Sequence, residues 1–301
     1  HQYDNNLVYQ QFCNFLKKDK TNVKSLTEIP FLPIQFFKSH NVLSSSKQIQ
    51  QTFTSSGTTG IQTSKHLVTD VSWYEESYRL GFSEFYGNIE DYCVLALLPS
   101  YLEREGSSLI YMVEDLIQSS NHKDSGFYLH NYDELISKLI ELDNSGQNVI
   151  LIGVTYALLD LIEKQKFQLK NTIIMETGGM KGKRKEMIRE ELHSLLCNGF
   201  GVSKIHSEYG MTELLSQAYS LGDGVFECPQ WMQILIRDTE DALTYVSEGK
   251  TGGINVIDLA NINSCSFIAT QDLGKKYPNH SFEVLGRFDN SDIRGCNLMV
   301  I

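Results

Sequence analysis

Residues 51–68 read QTFTSSGTTGIQTSKHLV, and Ser55, Ser56, Gly57, Thr58, Thr59 and Gly60 at its centre set four hydroxyls and two glycines between apolar flanks. Glycines let backbone N–H groups approach an anion and hydroxyls add donors, so this stretch has the chemistry to hold phosphate oxygens. The same residue types also make an ordinary surface turn, and at this point both readings stand. A second segment, Tyr209-Gly-Met-Thr-Glu213, offers a flat ring to a purine, a hydroxyl (Thr212) to a phosphate oxygen and a carboxylate (Glu213) to a Mg²⁺ ion that keeps several waters. Its plain alternative is a buried Tyr, a helix-opening Thr and a surface Glu.

Two simpler chemistries fail on spacing. A Walker loop needs G-x-x-x-x-G-K-[ST], whereas GGMKGKR from Gly178 is one residue short and has Arg184 in place of the hydroxyl. Lys181, Lys183, Arg184 and Lys185 read equally as ligand contacts or as a solvated helix start. His206-Ser-Glu208 followed by Cys228-Pro229 lacks the P-C-x-x-C of a zinc deaminase, which removes a metal site of that kind.

The elements that must position these groups are legible in outline. Leu7, Val8, Phe12, Phe15 and Leu16 recur at helical spacing, before Pro30 and Pro33 interrupt the chain. YCVLALLP (92–99), GFYLH (126–130), NVILIG (148–153), NTIIMET (171–177) and SKIHSEYG read as strands. Between them lie helical patterns at 106–120, Asp133 to Leu142, VTYALLDLIEKQ and about Lys183 to Leu196. Alternating strand, loop and helix predicts a mainly parallel sheet covered by helices. After Gln230 the pattern changes to WMQILIR, GGINVIDL, SCSFIAT and HSFEVLGRF, short strands separated by turn residues. Ligands gather at the carboxyl ends of strands in open α/β sheets. Three polar stretches are expected there: the loop after IQQTF, Glu176-Thr-Gly178-Gly179 after TIIM, and Ser207 to Glu213 after SKIH.

Composition sets the outer limits. The 301 residues are 41% hydrophobic and 21% charged, which suits a globular chain with a sizeable core. A net charge of −11 argues against a nucleic-acid or anionic-membrane binder, so an anionic ligand must be met locally. No membrane span or signal-peptide pattern is present, and the chain begins at His1 instead of Met, so residues upstream are expected. Six cysteines without a C-x-x-C pair predict reduced thiols and a cytoplasmic protein.

TSSGTTG, YGMTE, TQDLG and GRFDN, in this order over residues 54 to 290, resemble the motifs of the adenylate-forming superfamily of acyl-CoA synthetases, luciferases and peptide-synthetase adenylation domains. LLPSYLEREGSSLIYM, METGGMKGKRKE and RGCNLM resemble the acyl-protein synthetases of bacterial bioluminescence and their phenylacetate-CoA-ligase-like relatives. The resemblance implies an α/β fold with a large adenylate-forming domain of mainly parallel sheets flanked by helices, plus a β-rich subdomain. On that basis residues 1–285 form the domain (1–45 an N-terminal helical segment, 46–229 the α/β part, 230–285 the β-rich part), and 286–301 are a short C-terminal piece. It further implies that Ser55 to Gly60 hold the phosphates of ATP, Gly178 and Gly179 flank the adenine, and Tyr209 stacks on it. Thr212 would touch the α-phosphate and Glu213 hold Mg²⁺. Asp272 would accept the ribose hydroxyls, as a carboxylate can, with Arg287 near ribose or phosphate and Asp289 marking a hinge. Two departures stand out. Lys65 is five residues past Gly60, where the superfamily has a lysine two or three residues on, and the chain stops soon after GRFDN.

The implied reaction is ATP-dependent activation of a carboxylic acid, fatty acid foremost, to an acyl-adenylate, followed by transfer to a thiol. Oriented donors and Mg²⁺ would offset the developing negative charge. Cys296, in RGCNLMVI, falls in the context of the family's acceptor cysteine and has Arg294 nearby, but equally suits a structural strand position. The implied partners are an acyl-accepting protein or reductase, with no nucleic acid and no membrane span. Acyl-CoA ligation of the phenylacetate type, or acyl or nucleotide binding without catalysis, are the alternatives on the same fold.

Overall fold

The computed structural model describes residues 1–55, 63–99, 105–178 and 187–288. One twelve-stranded sheet runs through them. At one end five strands lie parallel in the order Gly126–Phe127, Cys93–Leu97, Val149–Val154, Thr172–Thr177 and His206–Tyr209. Every residue of Cys93–Leu97 and Val149–Val154 is buried, which is why these strands are unbroken apolar runs: helices cover both faces of a parallel sheet. The sheet then continues antiparallel through Ala218–Ser220, Val225–Glu227, Phe282–Arg287, Phe267–Lys276, Thr251–Asp258 and Met232–Arg237. The strands expected after Gln230 are therefore present as antiparallel extensions of the same sheet.

Helices Ser108–Ser119, Tyr132–Ser145, Thr155–Lys164 and Arg189–Phe200 supply the crossovers. Thr155–Lys164 and Arg189–Phe200 approach closely, because a Cβ on Gly199 would meet Ile162 at 2.6 Å. One apolar cluster fills the space between helices and parallel strands. A second lies under the antiparallel strands, where the N-terminal segment contributes Tyr9, Cys13 and Phe37. No helix among the described residues is long and apolar enough to cross a membrane.

Four local expectations change. The helix expected from about Lys183 begins at Arg189 among the described residues, where Glu190 and Glu191 in the first turn complement the helix dipole as Lys183 and Lys185 would not. The strand expected over GFYLH is only Gly126–Phe127, since Tyr128 to Asn131 closes a turn. The longest helix, Val71–Tyr86, was not anticipated; it buries Tyr74, Tyr78, Phe82 and Tyr86, four aromatics at i, i+4 spacing. Lastly, Gln51–Thr54 does not belong to the main sheet. It pairs antiparallel with Lys65–Val68 as a separate two-stranded sheet, so the strand expected before the hydroxyl-glycine stretch is not one of the parallel strands. The Thr54 N–H donates to the Gly106 carbonyl (2.7 Å), which pins the hairpin beside helix Ser108–Ser119.

Candidate active site

A cleft of about 310 Å³ opens where strands Thr172–Thr177 and His206–Tyr209 end. Ser55, Gly178, Thr212, Glu213, Asp272 and Arg287 all line it, although they come from five separate parts of the chain. Ser56, Gly57, Thr58, Thr59, Gly60, Gly179, Asp289 and Cys296 lie outside the described residues.

At one end, Ser55 Oγ accepts from the Ser64 N–H (2.9 Å), and Ser64 lines the cleft together with Glu213. Glu213 is buried. Burial pushes its carboxyl above the ordinary range, partly countered by the Ser64 side chain and by the charges of Arg287 and Lys38.

The backbone carrying Thr212 and Glu213 is held from behind. His66, fully buried on Lys65–Val68, places Nδ1 2.8 Å from the Thr212 carbonyl and Nε2 3.0 Å from Asn261 Oδ1. Asn261 Nδ2 donates to the Glu213 carbonyl (2.7 Å). Asp258 accepts from the N–H groups of Leu215 (2.8 Å) and Ser216 (3.1 Å) and from Ser216 Oγ (2.6 Å). Burial lowers the His66 ring to about 4, so it is neutral near pH 7 and its single N–H donates to one of its two oxygen partners, the Thr212 carbonyl or Asn261 Oδ1. The loop is thus fixed by side chains while its own Thr212 and Glu213 side chains face the cleft. None of His66, Asp258 or Asn261 was singled out from sequence.

At the other end, register pairs Asp272 with Arg287, and Arg287 Nε donates to Asp272 Oδ1 (3.1 Å). Tyr209 Oη donates to Asp272 Oδ2 (2.8 Å). Tyr209 itself sits in the wall behind the cleft surface, 8% exposed, with its ring against the edges of Phe226 and Phe282. Its expected stacking on a purine is therefore not prepared here; what the residue does is hold Asp272. Burial raises its hydroxyl well above the usual range.

The middle stretch divides. Gly178, at φ 61°, needs the left-handed freedom of glycine, and its carbonyl accepts from Thr155 Oγ1 (2.7 Å). Glu176 does not reach the cleft: it is buried against Arg189 (2.6 Å), with His193 at 3.6 Å, and its carboxyl is lowered despite the burial. Ser207 is likewise buried on its strand. Glu208 lines the cleft and accepts from Thr177 Oγ1 (2.5 Å). Gly210 packs closely beside it: a Cβ there would meet Glu208 Oε1 at 2.5 Å and make that carboxylate shift.

The acyl-protein synthetase family LuxE matches residues 1–78 and 114–301. The chain belongs to the LuxE acyl-protein synthetase family. That membership places it among ATP-dependent acyl ligases, and all seven described candidate residues fall inside the matched regions. The chain is 23% identical to the long-chain-fatty-acid–luciferin-component ligase of Vibrio harveyi, over 98% of this chain and 83% of that protein. In fold it resembles 2-hydroxyisobutyryl-CoA ligase solved with 2-HIB-AMP and CoA (TM-score 0.71, 12% identity, 96% of this chain and 72% of that one). It also resembles ATP-bound MatB from Rhodopseudomonas palustris (0.60, 15%, 81% and 49%) and the Bacillus subtilis O-succinylbenzoate CoA synthetase MenE with AMP (0.54, 18%, 82% and 51%). The matched part spans about half the length of MatB and MenE. The adenylate-forming fold of the LuxE family thus accounts for the mixed sheet and for the cleft at its strand ends.

Among the described residues no cysteine is activated as a nucleophile. Burial pushes Cys13 and Cys93 up to about 11, Cys228 and Cys265 up to about 12, and Cys197 upward as well, so all five remain protonated thiols near neutral pH.

Proposed function

We propose that this chain activates a carboxylic acid, foremost a fatty acid, with ATP and delivers the acyl group to a protein thiol. The observation that carries the reading is the convergence of Ser55, Thr212, Glu213, Asp272 and Arg287 on one cleft in a chain of this family. The carboxylate oxygen of the acid attacks the α-phosphorus of ATP, the bond to the bridging oxygen breaks, and pyrophosphate leaves. A thiol then attacks the acyl carbonyl, releasing AMP and forming the thioester. Ser55, with the hydroxyl-glycine stretch it opens, and Thr212 donate to phosphate oxygens. Asp272 accepts the ribose hydroxyls with lone pairs left beyond the bonds from Tyr209 and Arg287. Gly178 lies beside the base, with Gly179 following it.

Glu213 suits a magnesium site: it is a buried carboxylate on the cleft with no ion-pair partner among the described residues. Its carboxylate would hold a Mg²⁺ ion, which supplies charge neutralisation to the phosphates when bound. The acid's apolar part is accommodated by Ile34, Tyr74, Leu109 and Met112, which also line the cleft. The name of the Vibrio harveyi relative, a ligase of long-chain fatty acid to a luciferin component, supports both the acid class and a protein acceptor. A reductase that consumes the thioester fits the same reading.

Label exchange between pyrophosphate and ATP across a panel of acids tests it. The wild type should exchange label with at least one acid, and Glu213→Ala should lose nearly all of it. Absence of exchange with every acid would sink the adenylating reading, whereas turnover that requires CoA and survives Cys296→Ala would redirect it to an acyl-CoA ligase.

A further inference from the structure

The hydroxyl-glycine stretch lacks a cation at the usual distance, and the structure sharpens this gap. Lys65, the nearest lysine downstream, is exposed at the start of strand Lys65–Val68 and does not line the cleft. Among the described residues three carboxylates line the cleft, Glu208, Glu213 and Asp272, against two cations, Lys38 and Arg287. Arg287 is engaged with Asp272. A polyphosphate brings several further negative charges into a chain that already carries −11, so its entry needs a cation at the phosphate end.

Lys38 answers this need from an unexpected part of the chain. It lies on the short helix Phe36–Ser39, anchored by Phe37, which is buried edge-on to the His66 ring (centroids 5.7 Å). The same His66 braces Thr212, so Lys38 and the Thr212–Glu213 loop are registered to one another through a single packed ring. Among the described residues its ammonium forms no ion pair, and it lines the same cleft as Glu213. Ser55, the first residue of the hydroxyl-glycine stretch, lines that cleft too and accepts from the Ser64 N–H (2.9 Å). Arg287, whose charge also acts on Glu213, is bonded to Asp272, which leaves Lys38 as the cleft-lining cation without an ion pair among the described residues.

We propose that Lys38 is the phosphate-binding lysine of this chain, contacting the polyphosphate end of ATP and the departing pyrophosphate in the role that sequence position offers to Lys65. The proposal rests on the adenylating reading and deepens it. A lysine suits the task because its ammonium is a compact charge on a flexible stem that can follow the phosphate as it leaves. The N-terminal segment then serves as one wall of the catalytic cleft as well as a cover for the antiparallel strands.

Titration calorimetry of the full chain with magnesium pyrophosphate, and separately with AMP, tests this on Lys38→Gln, Lys38→Arg and Lys65→Gln. Lys38→Gln should weaken pyrophosphate binding roughly tenfold or more while AMP binding stays within about twofold. Lys38→Arg should recover most of the loss, and Lys65→Gln should bind both as the wild type does. Unchanged pyrophosphate binding in Lys38→Gln, or equal weakening of pyrophosphate and AMP, would overturn the assignment. Wild-type protein that bound neither pyrophosphate nor AMP would instead remove the adenylating reading on which it rests.

Discussion

His66 couples the stability of the fold to pH through the same ring that braces the Thr212–Glu213 loop. Burial is the dominant influence on it: the ring titrates near 6.5 in an unfolded chain and at about 4 in the fold, despite hydrogen bonds that favour the charged form. Between those two values the unfolded chain binds a proton that the folded chain refuses. Stability from this group is therefore fully present above about pH 6.5 and is lost as pH falls toward 4. Each pH unit inside the window is worth about 1.4 kcal/mol, which after partial titration at both edges comes to about 2 kcal/mol between pH 7 and pH 5. His66→Gln removes the titration while keeping an amide able to reach one carbonyl. Denaturant unfolding of both proteins at pH 7 and pH 5 should show the wild type losing about 2 kcal/mol more than the variant over that interval. His206, whose ring burial also lowers to about 4, is present in both proteins and cancels. Equal losses in the two proteins would refute a neutral, buried His66 and with it this account of how the loop is held.

Two further outcomes follow, one from the site and one from the proposed function. Tyr209→Phe deletes the hydroxyl that donates to Asp272 at 2.8 Å; it should lower stability by about 1.5 kcal/mol and raise the KM for ATP several-fold, with the KM for the acid unchanged, in unfolding and exchange measurements. Cys296→Ser should retain pyrophosphate exchange but abolish a covalent acyl adduct that intact-mass measurement detects in the wild type after ATP and acid, and that neutral hydroxylamine removes.

What could be read ahead of the structure follows from how local each signal is. The buried parallel strands were legible because CVLAL and VILIGV satisfy their hydrogen bonds with neighbours of the same kind and need only be apolar. The candidate residues of the cleft were legible through motifs, since a hydroxyl-glycine run or YGMTE keeps several chemical groups together in sequence. Helix Val71–Tyr86 carried an equally local signal in its four aromatics, but tyrosines among Ser, Glu and Gly blur an apolar stripe. The bracing groups had no local signal. His66 finds its partners 146 and 195 positions away, and Asp258 meets Leu215 across 43, so nothing beside them in the chain marks them as more than polar residues in a strand and a turn.

The glutamates make the limit concrete. Glu176 and Glu213 are both buried carboxylates near the ends of adjacent strands, each within a polar stretch of the sequence, and only the motif context of YGMTE singled out Glu213. They differ in what comes to meet them. Arg189, one helix further on, closes on Glu176 at 2.6 Å and pulls its carboxyl down, so that charge is neutralised inside the wall. No cation closes on Glu213 among the described residues; burial holds its carboxyl up, and it faces the cleft with the charges of Arg287 and Lys38 within electrostatic reach. A buried carboxylate left without an ion-pair partner is costly unless something cationic arrives with the ligand. That cost, which Glu176 avoids and Glu213 retains, is the physical distinction between a structural carboxylate and one suited to a magnesium–nucleotide complex.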